Sequence, residues 1–148
     1  MTLRALLATA LTLLASASGA SGDLIISDAW VRETPPGKMM TAGYASLENL
    51  SKEVITITGV SAEVAGHTSL HETRIKRDRS TMRPIAQLSI KVGERVSLQP
   101  GGLHIMLMKL SEPLIDGQSI DICLELENNN SLCSAFSVAR HLKALHHH

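Results

Sequence analysis

Aromatic side chains are almost missing from this chain: Trp30, Tyr44 and Phe136 are the only three. Also missing is a surplus of charge of one sign, with 14 basic side chains against 14 acidic ones. A chain without a basic surplus has little with which to neutralise phosphates, so nucleic acid is excluded as the main partner. Beyond the N-terminal segment no apolar run is long enough for a membrane span, which takes roughly 20 residues. No nucleophile elbow, phosphate-binding glycine loop or zinc-hydrolase motif is present, which removes the commoner enzyme classes and points to a protein that is not an enzyme. The two cysteines, Cys123 and Cys133, lack the two-residue gap of thioredoxin-like redox motifs.

What is there begins with an address. Arg4 precedes an apolar run from Ala5 to Ala15, and small residues follow at Ala15-Ser16-Ala17 and Ser18-Gly19-Ala20. This pattern predicts a signal peptide over residues 1–20 and export to the periplasm, an oxidising compartment. No cysteine lies near the cleavage region, which argues against lipid attachment there. With Arg4 removed, 13 basic side chains face 14 acidic ones, a net charge of about −1 with histidine neutral. The remaining 128 residues (148 less 20) suffice for one domain, expected over 21–140, followed by a histidine-rich tail at 141–148.

Within that domain the hydrophobic pattern has period two, not the helical 3.6. Expected strands run over 24–32, 41–50, 54–60, 69–76, 85–92, 95–98, 103–110, 119–127 and 131–139. Pro35-Pro36-Gly37, the polar Arg77 to Ser80 and Pro100-Gly101-Gly102 supply turns. Eight or nine short strands predict an all-β sandwich, with cupredoxin-like and immunoglobulin-like Greek keys left open. A hairpin centred on Asn128 would put Cys123 opposite Cys133, within reach of a disulfide. Two reduced buried cysteines are the alternative.

Four side chains carry the chemical argument: His71, Met82, His104 and Met106. In a strand, residues i and i+2 share a face about 6.6 Å apart, so His104 and Met106 can serve one ion while Ile105 and Leu107 face the other way. His71 and Met82 flank the polar 77–80 turn and could arrive from a second piece of chain. Thioethers are soft, uncharged donors suited to Cu(I), with neutral imidazole completing the set. Zinc prefers thiolate, imidazole or carboxylate, and calcium or magnesium require oxygen. Outside the cytoplasm methionine has the further merit that it cannot pair into a disulfide. A blue-copper electron carrier would need a cysteine thiolate with two histidines, and only Cys133 with His141 approaches that. Among the neighbours, His67 reads as a surface histidine or spare ligand, Met108 as core or support, and Met39 and Met40 as loop residues that could touch the site.

The spacing H-x10-M-x21-H-x-M formed by these four residues resembles the signature of periplasmic copper chaperones of the PCuAC type. The surroundings agree: Ala29-Trp30-Val31-Arg32, Ala42-Gly43-Tyr44, Met82-Arg83-Pro84 and the stretch from Pro100 to Met108. The resemblance covers about residues 24–140. It implies a cupredoxin-like sandwich with a solvent-accessible Cu(I) site. It also implies onward delivery to the binuclear copper site of an oxidase copper domain, alongside Sco-type proteins, or else periplasmic copper buffering. Some relatives carry a His/Met-rich extension with a Cu(II) site. Here His141, His146, His147 and His148 are either a shortened form of it or the remnant of a tag. A metal-free interaction sandwich is the remaining alternative.

Overall fold

The structure, a computed structural model, describes residues 23–141. The expected signal peptide and the terminal histidines at 146–148 lie outside the described residues. The all-β architecture is as expected, but with ten strands in place of eight or nine: β1 (Leu24–Arg32), β2 (Met40–Asn49), β3 (Ile55–Ser61), β4 (Ala65–Lys76), β5 (Arg79–Pro84), β6 (Leu88–Ile90), β7 (Arg95–Leu98), β8 (Leu103–Leu110), β9 (Ser119–Leu126) and β10 (Ser131–Ala139).

Hydrogen bonding links them in the order β5-β4-β8-β2-β1-β10-β9-β3-β6, with β7 continuing beside β2 where β8 leaves it. The turning point is β1. Its first half pairs only with β2, and its register shifts around Asp28, whose φ of 50° marks a bulge. Its last three residues also pair in parallel with β10. The ribbon therefore folds over on β1, and both arms contribute to one aliphatic core. Leu70, Ile105 and Leu107 come from one arm, and Ile57, Ile122 and Phe136 from the other. Gly43 lies where the layers meet: a Cβ there would make ordinary contact with Ile105 on its own arm and, at 3.6 Å, with Ile122 Cδ1 across the core.

One strand is added and one expected strand is shortened. The residues after Arg77 and Asp78 form the additional strand β5, because both turn residues adopt left-handed φ (48° and 63°), the geometry of a tight two-residue hairpin. Of the expected 85–92 strand only Leu88–Ile90 pairs, against β3. The final hairpin follows the predicted register, with Cys123 opposite Cys133 and the two joined as a disulfide.

A buried polar hub lies at the end of β2, between the loop that follows it and the last residue of β6. Asn49 is fully buried. Its Nδ2 donates to the carbonyls of Glu53 (2.8 Å) and Ile90 (2.9 Å), and its Oδ1 accepts from the Ser51 N–H and hydroxyl. Removing this side chain leaves the buried Ile90 carbonyl unmet, at about 1–3 kcal/mol, and takes the partner from the part-buried Glu53 carbonyl and Ser51 groups. Asn49→Ala is therefore expected to lower unfolding free energy by about 2–4 kcal/mol in a urea titration, with metal binding at native temperature unchanged.

Candidate metal centre

The outer face of the β5-β4-β8-β2 arm is set by the same alternation that builds the core. Leu70 on β4 and Ile105 and Leu107 on β8 point inward, so Ser69 and His71, and His104 and Met106, take the opposite face. β4 and β8 are antiparallel with His71 directly opposite His104 and Ser69 opposite Met106. Residues far apart in sequence are thereby placed side by side, and the two imidazole ring centres lie 5.8 Å apart. An ion about 2.0 Å from one nitrogen of each ring would hold two ring centres at most roughly 6 Å apart, so the spacing suits a shared ion.

The turn before β8 fixes one of these rings. Gly101 takes a left-handed φ of 82°, and the Gly102 N–H bonds back to the Gln99 carbonyl at 3.0 Å. The Gly102 carbonyl then accepts the Thr73 N–H at 3.0 Å and His104 Nδ1 at 2.9 Å. A carbonyl can only accept, so Nδ1 carries the proton and Nε2 keeps its lone pair. That Nε2 is buried and has no hydrogen-bond partner among the described residues. Buried polar atoms are nearly always satisfied, and a ring nitrogen left free while the other is anchored to a backbone carbonyl is how metal-ligating histidines are held.

His71 repeats the arrangement. Its Nε2 lies 2.9 Å from the Ser69 hydroxyl, and its Nδ1 is buried without a partner among the described residues. Burial, and then the proximity of His104 and His67, pull the His71 pKa below the ordinary histidine value. The ring is therefore neutral at pH 7, the form that ligates.

Met106 is one alternation beyond His104, half-buried, between Ser69 of β4 and Ala42 of β2. Met82 is placed differently. It sits on edge strand β5 opposite Thr73, two residues along from the pair His71–Pro84, and is 62% exposed. Register puts it on the same face as His71, but at the rim. Thus His71, His104 and Met106 are gathered, and Met82 stands at the approach to them. The hairpin that carries it is tied by Glu72, which accepts from Arg74 (2.8 Å) and Arg83 (3.1 Å), exposed pairs worth little individually.

Ser69 and Thr73 were not picked out from sequence, and Gly102 was read there only as part of a turn. Ser69 had a signal, lying two residues before His71 on the same face. Among the described residues no group of three His, Cys, Asp or Glu side chains could hold a metal ion. The donors gathered on this face are two imidazoles and a thioether, with a second thioether at the rim, and thioether sulfur suits a soft ion. Two of the three aromatics also lie on this side of the arm: Trp30 and Tyr44 are buried with ring centres 4.8 Å apart.

The LpqE-like family profile matches residues 24–138. The chain is 34% identical over 107 residues to Lxx21020 of Leifsonia xyli subsp. xyli (strain CTCB07), whose name describes a lipoprotein. That match takes in 72% of this chain and spans 63% of the relative's length. DR1885 of Deinococcus radiodurans is similar in its apo form at 28% identity and a TM-score of 0.64, covering 96% of this chain and 97% of that one. Its Cu(I) form is similar at 27% identity and a TM-score of 0.61, covering 86% and 87%. The copper-bound PCuAC domain of PmoF2, at 19% identity and a TM-score of 0.69 over 82% and 97%, shares the cupredoxin-like fold.

Proposed function

The chain belongs to the LpqE-like family, and from that footing we propose that it is an exported copper(I) carrier that holds one ion with His71, His104, Met106 and Met82 and yields it to an acceptor protein. The observation that carries this reading is the pair of buried, unpartnered imidazole nitrogens on rings 5.8 Å apart, with a thioether on the same face. The likeness to DR1885, a protein known in a Cu(I) form, supports the same cargo. Residues 1–20 would direct export, and the ligand set suits an oxidising compartment because it contains no thiol.

The division between buried and exposed ligands suits a carrier. The two imidazoles are held in place before the ion arrives, so little ordering is needed on binding. Met82, exposed at the rim, is the ligand that an incoming thiolate or thioether can displace first. The ion then leaves by ligand exchange, with no covalent chemistry and no catalysis. An acceptor of the oxidase copper-domain or Sco type offers thiolates that outcompete thioether sulfur for Cu(I).

Anaerobic titration with Cu(I) against a competing chelator tests this. A one-to-one complex tighter than micromolar is expected, followed by transfer to an apo oxidase copper domain, read by that domain's own absorbance. Binding no tighter than micromolar would remove the carrier reading, and tight binding without transfer would make the protein a copper store.

A further inference from the structure

A second set of soft donors lies one step farther along the same face. His67 on β4 is directly opposite Met108 on β8, and Met108 is directly opposite Met40 on β2. Directly opposed residues share a face, and His67 and Met108 lie at even intervals from His71 and Met106 on their strands. The three therefore form a cross-strand row, His67–Met108–Met40, parallel to the row containing His71 and His104. Met106 stands between the two rows. With neighbouring strands about 4.8 Å apart, the backbones of His67 and Met40 lie roughly 10 Å apart on either side of Met108, within the joint reach of an imidazole and a thioether.

Exposure separates this row from ordinary packing. Met40 is 48% exposed and His67 is exposed, while Met108 is half-buried. Two methionines on a solvent-facing sheet surface contribute nothing to the core, which lies on the other side with Thr41 and Leu107. The backbone holds the row in place nonetheless. Gly66, next to His67, is the residue that lets β4 approach β8 there, since a Cβ would come within 3.0 Å of Lys109 Cβ and 3.3 Å of its carbonyl oxygen.

The geometry points to a second, weaker Cu(I) station made by His67, Met108 and Met40, a site of one imidazole and two thioethers open to solvent. It rests on the carrier reading of the neighbouring site and extends it. An incoming ion meets the exposed row first. Met106, one alternation from each row, then provides the sulfur through which the ion passes to the buried histidines.

The test is an anaerobic titration of the full chain with Cu(I), and separately with Ag(I), following the methionine methyl signals by NMR. Beyond the tight first equivalent, which moves the Met106 methyl, a second that binds more weakly than micromolar is expected to move those of Met40 and Met108. In the variant Met40→Leu/Met108→Leu, which keeps bulk and polarity nearly unchanged, the first equivalent should bind with unaltered affinity and the second should be lost. A second equivalent retained in that variant, or one that leaves the Met40 and Met108 methyls unmoved, overturns the proposal while leaving the carrier reading intact. Failure to bind any ion overturns both.

Discussion

Replacing His104 with alanine is expected to weaken Cu(I) binding by roughly a thousandfold or more, about 4 kcal/mol, while leaving the protein folded. The size of the effect follows from how the ring is held. It is 4% exposed, its Nδ1–H is committed to the Gly102 carbonyl, and its Nε2 has no partner among the described residues. A ligand fixed before the metal arrives delivers nearly its full interaction, with little side-chain entropy left to lose. The fold should tolerate the change because the Gly102 carbonyl keeps its bond from the Thr73 N–H. The ring also lies on the outer face, away from Ile105 and Leu107. Met82→Ala is the informative contrast. Its side chain is 62% exposed on an edge strand and must be ordered when it ligates, so a smaller loss, about tenfold, is expected. Competition with a Cu(I) chelator measures both, and circular dichroism reports the fold. His104→Ala binding within threefold of the parent would show that the buried nitrogen serves some other end.

Which parts of this site could be read from sequence depended on the range of the interaction. Alternation along Leu103 to Leu110 assigned His104 and Met106 to one face and Ile105 and Leu107 to the other, since side-chain direction within one strand is a local property. The Cys123–Cys133 bridge was equally accessible, because both cysteines lie in one hairpin, equidistant from Asn128. The opposition of His71 and His104 was not. It is a register between β4 and β8, strands separated by three others in sequence, and a one-residue slip would put His71 on the core face. Strand β5 escaped notice because all six of its residues are exposed and it has no apolar alternation. It exists through the left-handed pair Arg77-Asp78 and its pairing with β4. Asn49 marked a strand end correctly, for a reason the local sequence does not hold: its partners include the carbonyl of Ile90, 41 residues away.

If the softness of Met106 decides which ion the face accepts, then Met106→His should change the metal more than it changes the fold. The parent chain has, among its described residues, no group of three His, Cys, Asp or Glu side chains able to hold a metal. The substitution adds an imidazole one alternation from His104, opposite Ser69 and beside His71, and so completes three nitrogen donors on one face. Three histidines with an open fourth position are a good zinc site, and imidazole also favours Cu(II). Zinc affinity is expected to rise by roughly a thousandfold, about 4 kcal/mol, and Cu(I) affinity to fall, since a soft d10 ion loses its inner sulfur ligand. Position 106 is half-buried and outside the aliphatic core, so the new ring fits without displacing Leu107. Calorimetry with Zn(II) and chelator competition with Cu(I), run on both proteins, give the two changes directly. Zinc binding as weak in the variant as in the parent would mean that position 106 does not share an ion with His71 and His104, and the thioether there would lose its claim to set the selectivity.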